Sequence, residues 1–338
     1  MKRKYRNIFF IFGMAVLVIM ITQLDFAEVW SGLKRAGYWF FAVLLLWVFL
    51  YTINTASWYI IIKSGSKERQ PFSFRWLYRL TVTGFALNYA TPGGLMGGEP
   101  YRIMSLAPRI GTERASSSVI LYVMTHIFSH FWFWLLAVVL YVMTRPPEPY
   151  IAVMLGVITV FCLSGLWFFM AGYRKGIAVR IMNILKYVPF ARHRTQRFVD
   201  SHRRQLDTID RQIADLHRQN RRTFVSAVLL ELFCRILSAA EIMFILLVIT
   251  PLPAGDILAV SSFLSRLFLD SVLILAFTSL FANLLFFMPL QLGGREGGFL
   301  MSTAGLAMTA GAGIFIALIV RIRELVWTAI GLLLIRIR

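Results

Sequence analysis

From Ala115 to Thr144 the chain carries no Asp, Glu, Lys or Arg, and a second charge-free run extends from Tyr150 to Gly172. A hydrocarbon layer about 30 Å thick takes about 20 residues of helix to cross. Segments 8–24, 38–62, 223–250 and 313–335 are apolar and long enough as well. In lipid every backbone N–H and C=O must be satisfied internally, which selects helices. Two further apolar regions, 72–112 and 257–312, are interrupted by Gly and Pro. The expected fold class is an all-α polytopic membrane protein with about six full spans plus two broken or re-entrant helical hairpins. Charged residues make up only 15% of the 338 positions, against about 25% in soluble domains, so a water-soluble enzyme is excluded. Disorder fails on the 58% hydrophobic content. The two cysteines, Cys162 and Cys234, lie inside apolar runs and do not make a disulfide scaffold.

The net charge of +19 is not spread evenly. Bases cluster at Lys2–Arg6, at 63–79 (Lys63, Lys67, Arg69, Arg75, Arg79) and in 173–222, while 25–37, 145–149 and 251–256 are poor in them. That pattern marks the cytoplasmic side of a membrane protein rather than a nucleic-acid surface. The basic start before Ile8–Ile21 resembles a signal peptide, but Thr22-Gln23-Leu24-Asp25 contains no small-x-small cleavage site, so a retained first span is expected. With 63–71 and 173 both inside, 115–144 and 150–172 form one out-and-back pair. Region 72–112 must then begin and end inside. Its second limb, 100–112, is too short to cross, which favours a re-entrant hairpin. Region 257–312 must start and finish outside; whether it dips in or crosses twice stays open. The expected organisation is a first membrane half (1–172), a basic amphipathic insert (173–222) and a second half (223–338), with both termini cytoplasmic.

The two broken regions share a pattern. Asn88 precedes Pro92, with Gly97, Gly98 and Glu99 following. Asn283 precedes Pro289, with Gly293, Gly294, Arg295 and Glu296 following. In each, Gly falls five and Glu seven residues after the Pro. Placed on opposite faces, the pair forms an inverted-topology repeat suited to alternating access. Pro ends the entering half-helix, and broken backbone at membrane depth is tolerated only inside protein or beside a wet cavity. The returning half-helix, starting near Pro100, would aim free N–H groups inward at an anion such as a lipid phosphate. The plainer alternative is a pair of helix breaks with capping glutamates and no ligand.

The stretch Pro-Gly-Gly-x-x-Gly-Gly-Glu-Pro-x-Arg (Pro92 to Arg102), the later Pro-x-x-x-Gly-Gly-x-Glu (Pro289 to Glu296) and a closing span with Arg321 and Gly331 carry a resemblance. The chain resembles the flippase-like family, the transmembrane region of bifunctional lysylphosphatidylglycerol synthase/flippase proteins, over roughly residues 8 to 335. The resemblance implies movement of a charged or glycosylated lipid between the leaflets of a bacterial or archaeal cytoplasmic membrane, a polyprenyl-phosphate-linked lipid being one candidate for this chain. The chain stops at Arg338 without the aminoacyl-transferase domain of bifunctional members, so lysyl-lipid synthesis is not expected of it. Where the family pattern leads one to expect an acidic–basic pair, this chain has Thr125-His126-Ile127-Phe128-Ser129-His130.

Charges inside spans are functional candidates by default. Glu231 and Arg235 are four apart and Arg266 and Asp270 likewise, while Arg321 and Glu324 are three apart, so each couple is expected either to pair locally or to meet a headgroup. Glu241 and Arg323 also lie in spans. Arg102 and Arg295, beside the hairpin tips, have the best claim to a phosphate. The candidate substrate-binding set is Asn88, Pro92, Gly97, Gly98, Glu99, Arg102, Glu231, Arg235, Arg266, Asp270, Asn283, Gly293, Gly294, Arg295, Glu296 and Arg321. His126 and His130 are expected to be hydrogen-bonded in the interior. No metal cluster, nucleophile elbow or nucleotide loop stands out, and no cofactor is expected. The insert, with Val199, Leu206, Ile209, Ile213 and Leu216 at helical spacing, is expected to lie on anionic inner-leaflet lipid or to pair with a partner. A membrane lipid is the expected substrate, and a second copy or a synthase the candidate protein partner. The leading expectation is a lipid translocase and no enzyme. The alternatives are an accessory subunit of envelope lipid or glycan synthesis and a lipid-modifying transferase using Glu99 and Glu296 as acid and base.

Overall fold

The structure is a computed structural model that describes residues 3–22, 25–64, 71–91, 97–175, 221–250, 252–253, 256–285 and 294–336. Pro92, Pro289, Gly293 and most of the basic insert lie outside them. Among the described residues the chain is all-helical. In chain order the helices are α1 (Arg3–Thr22), α2 (Phe26–Ala36), α3 (Tyr38–Ser64), α4 (Phe74–Ala90), α5 (Gly98–Ile110), α6 (Thr112–Thr144), α7 (Pro149–Lys175), α8 (Arg221–Ile249), α9 (Ile257–Leu284), α10 (Gly294–Ala304) and α11 (Ala310–Leu334). Six helices are long and apolar enough to cross a membrane: α1, α3, α6, α7, α8 and α9. The large apolar side chains left exposed, such as Val153, Val157, Val160 and Trp167 along α7, form the face that lipid covers.

The expected spans at 8–24, 38–62, 115–144, 150–172 and 223–250 appear as α1, α3, α6, α7 and α8. The expected span at 313–335 appears as the 25-residue α11, which carries Arg321, Arg323 and Glu324 and so falls short of the apolarity of the other six, α9 among them. The connection expected at 25–37 is a helix. Asp25 caps it, its carboxylate accepting from the N–H of Ala27 at 2.8 Å and of Glu28 at 3.3 Å. Gly37 ends it at φ 54°. Its small residue Gly32 lies against Leu318 of α11, while Phe26 and Trp30 face outward.

Both broken regions are hairpins of one long and one short helix. Helix α5 has 13 residues and α10 has 11, about 20 and 16 Å of rise, too short to cross. On the first hairpin Asn88 meets Gly98 and Glu99, and Thr81 meets Arg102, so α5 returns antiparallel along α4. On the second, Thr278 of α9 meets Gly298 and Ser302 of α10. Helix α11 then runs antiparallel to α10, with Gly313 against Phe299, Leu300 and Thr303 and with Glu296 on Arg321. Arg321 also meets Tyr89, and Gly331 meets Val82 and Ala86. These registers put the ends of α4 and α9 at one level on α11, approached from opposite directions. The two hairpins are therefore inverted counterparts whose described inner ends reach one level along α11.

Two apolar clusters pack above and below that level. One gathers α6 beyond Phe128, much of α8, α9, and α11 up to Ile322; the other gathers α1, α4, α5, α6 up to Met124, and α11 from Leu325. Between them fall His126, Arg323 and Glu324, so the bundle is two apolar cores separated by a polar layer.

The hairpin tips depend on close backbone approach. A methyl group on Gly98 would collide with the Gly84 carbonyl oxygen and the Asn88 side chain, whereas one on Gly156 would meet nothing within 4 Å. Gly98→Ala is expected to cost about 1–3 kcal/mol and to lower the unfolding temperature in detergent. Gly156→Ala, in the same assay, is expected to stabilise by up to about 1 kcal/mol.

Candidate functional site

The polar layer encloses a cavity of about 610 Å³ lined from α3, α4, α5, α6, α8, α9, α10 and α11. Four carboxylates (Glu99, Glu231, Glu241, Glu324) and four guanidinium groups (Arg102, Arg235, Arg295, Arg323) are among its lining residues, with His126 and His130 beside them. Aromatic rings, among them Trp47, Tyr51, Phe85, Tyr122 and Trp327, make up much of the remainder.

At the tip of the first hairpin, Asn88 bridges the break. Its carbonyl oxygen accepts from the Gly98 N–H at 2.7 Å and its amide donates to Glu99 at 2.9 Å. Glu99 also accepts from Arg102 at 3.1 Å. Arg102 is only 1% exposed and lies among the rings of Phe85, Tyr122 and Trp58 at 4.8, 5.3 and 5.7 Å. Gly84 leaves the space its guanidinium fills. Arg102 thus pins α5 to α4 through Glu99, the Thr81 carbonyl oxygen and three aromatic faces, and it also lines the cavity. Gly97 approaches the Thr91 side chain and the Leu87 carbonyl oxygen too closely for a side chain.

The expected local pairs are replaced by pairs between helices. Glu231 accepts from Nδ1 of His126 at 2.8 Å. Arg235 donates to Ser129 at 2.8 Å and to the His126 carbonyl oxygen at 3.0 Å. Glu241 receives Arg323 bidentately at 2.8 and 3.1 Å and Trp47 Nε1 at 3.0 Å, and the Arg323 guanidinium sits 3.9 Å over the Trp47 ring. Glu324 pairs with Arg295. Arg321 donates to Glu296 at 2.5 Å and to the Tyr89 hydroxyl at 2.7 Å. A local pair on a helix is worth about 0.2–0.5 kcal/mol and a charge-assisted buried hydrogen bond about 1.5–3, so the partner on the neighbouring helix wins. Asp270 pairs with Arg145 at 2.9 Å rather than with Arg266, which is exposed on α9; neither lines the cavity. Asn283 lines it but bonds back to the Ser279 carbonyl of its own helix, unlike Asn88. Gly294 is buried in the first turn of α10. Pro92 and Gly293 lie outside the described residues.

His126 and His130 are interior and hydrogen-bonded as expected, His130 Nδ1 donating to the His126 carbonyl oxygen at 3.2 Å. No group of three or more His, Cys, Asp or Glu arranged for a metal occurs among the described residues. Tyr89, Tyr122, Asn54 and Trp47 join the site unforeseen. Asn54 takes Tyr122 and Cys234 as partners from α6 and α8, contacts that no spacing along one helix encodes. A smaller cavity of about 330 Å³ lies beside α2, lined by Asp25, Glu28, Glu296 and Arg321.

Cutting one member of the Glu241–Arg323 pair leaves a buried charge. Arg323→Leu is expected to cost about 3–5 kcal/mol. The double variant Glu241→Leu/Arg323→Leu should recover most of that in thermal unfolding of the purified protein. Equal losses in single and double variants would show that the pair does not act as a unit.

No curated protein and no solved structure matches the chain. A family profile described as the lysylphosphatidylglycerol synthase TM region does match, over residues 8–331. The match takes in both hairpins, the charged layer between them and all of α11 but its last turn, and the chain accordingly belongs to the lysylphosphatidylglycerol synthase TM region family.

Proposed function

We propose that this multi-pass membrane protein is a lipid translocase that carries a phosphate-bearing, anionic or glycosylated, headgroup through the charged cavity while the acyl chains stay in the bilayer. One observation carries the reading: the described inner ends of two inverted hairpins border one charge-bearing cavity of about 610 Å³ that residues of both halves line. That volume falls within the range of small-molecule sites, about 300–1,000 Å³, and suits a headgroup rather than a whole lipid. Inverted hairpins around a central site are the architecture on which alternating access is built. We further propose that both termini face the cytoplasm, on the strength of the basic clusters.

The transferase reading would need Glu99 and Glu296 together as acid and base. They line different cavities, each bound to its own arginine, which favours transport over chemistry. Nothing in the geometry singles out the accessory-subunit reading.

The test is reconstitution into neutral phospholipid vesicles containing a trace of headgroup-labelled anionic phospholipid, with an external quencher. The wild type is expected to bring inner-leaflet label to the outside without altering it. Glu99→Gln and Glu296→Gln, folded by thermal unfolding, are expected to slow this about tenfold, or about 1.4 kcal/mol of barrier. Chemically modified lipid would point to the transferase instead, and equal rates in protein-free vesicles would end the translocase reading.

A further inference from the structure

Among the four cavity carboxylates one is held differently. Glu99 is held by Asn88 and Arg102, Glu241 by Arg323 and Trp47, and Glu324 by Arg295 and Arg323. A guanidinium keeps its proton at any pH a protein meets. Glu231 instead has an imidazole, His126, 2.8 Å from Oε2. Its other oxygen, Oε1, is buried without a hydrogen-bond partner, as is Oε2 of Glu99, but Glu99 has a guanidinium beside it; Glu231 is 1% exposed. Arg235, one turn along α8, donates from Nε to Ser129 and from Nη2 to the His126 carbonyl oxygen. An ionised carboxylate with one oxygen unsatisfied in a buried site is costly, and a proton relieves that cost.

We propose that Glu231 together with His126 is a proton-binding site whose occupancy is coupled to headgroup movement; this rests on the translocase reading above. The groups facing it are Tyr122 and His130 on α6, Cys234 and Arg235 on α8, Asn54 and Tyr51 on α3, and Glu99 with Arg102 on α5, with the Glu241–Arg323 pair farther along the cavity. With Glu231 ionised and His126 neutral, the eight cavity carboxylates and guanidiniums balance. One proton from cavity water, taken on Glu231 Oε1 or shared as the imidazolium of His126, breaks no covalent bond and leaves the cavity one charge positive. A positive cavity holds a phosphate-bearing headgroup more tightly than a neutral one. By linkage the headgroup then holds the proton more tightly too. The pair also joins α6 to α8, so the same proton changes a bond between the two halves that alternating access must move.

The experiment has two readouts on the full chain. Infrared difference spectra of the purified protein between about pH 5 and 8, the range in which an imidazole titrates, are expected to show a carboxyl band that is lost in Glu231→Gln and displaced in His126→Gln. If Glu231→Gln fails to fold, His126→Gln decides, because it keeps the carboxylate and removes only its titratable partner. A band untouched by either variant overturns the proposal whatever the vesicles do. In vesicles with labelled anionic phospholipid, an imposed pH gradient is expected to change the wild-type rate at least about fivefold, and rates of Glu231→Gln with and without the gradient are expected to be equal. Wild-type movement indifferent to the gradient overturns the coupling and leaves the translocase reading standing. No wild-type movement, with the carboxyl band present, overturns the translocase reading and with it the coupling.

Discussion

A charge placed inside an apolar helix bundle must find its counter-charge on another helix, and this requirement organises the molecule. Glu241 on α8 and Arg323 on α11, Glu296 on α10 and Arg321 on α11, and Glu231 on α8 and His126 on α6 tie together segments far apart in the chain. Each bond costs desolvation on both sides, so as a source of stability it is modest. What it supplies is position. Helices that otherwise slide on similar aliphatic surfaces are held in the one register that pairs every buried ion. Helix α11 is the clearest case, since Arg321, Arg323 and Glu324 reach α10, α8 and α4 within a single turn.

The hairpins exist for a related reason. A half-length helix leaves unsatisfied N–H groups at its buried start, and the first hairpin meets part of that demand with Asn88, which accepts from Gly98 and donates to Glu99. Close packing of α4 and α5 needs glycine at 84 and 98, one leaving room for Arg102 and the other for backbone. The second hairpin reaches the same depth by other means. Thr278 and Ser302 hydrogen-bond across it, and Glu296 is held by Arg321 of a third helix. The two halves therefore share a shape without sharing a network. Among the described residues the first hairpin has a self-contained ion pair, Glu99–Arg102, whereas Glu296 of the second takes its arginine from α11.

Much of the architecture was legible before any coordinate. The long apolar runs marked α3, α6, α7 and α8, the glycine- and proline-broken stretches marked both hairpins, and their matched spacing marked them as counterparts. Helix α2 was not legible as a helix, because its eleven residues mix apolar and charged side chains and its capping by Asp25 reads equally well as a turn. The site was half legible. Glu99, Arg102, Glu231, Glu296, Arg295 and Arg321 were expected near a polar chamber, but the rings of Trp58, Phe85 and Tyr122 around Arg102 were not foreseen. Arg266 and Asp270 shared the spacing of a local pair, yet Asp270 turned to Arg145.

Hydrophobicity and the spacing of glycine and proline depend only on neighbours along the chain, so the sequence by itself determined the membrane class, the spans, the two breaks and their inverted relation. The pairing of charges depends on which side chains meet across helices, between residues 25 to 125 positions apart. Periodicity within a helix lists the faces available and says nothing of which face another helix will present. Only the packed bundle decided that Glu241 belongs to Arg323, that Arg102 lies among three aromatic rings, and that Glu231 is left with a histidine.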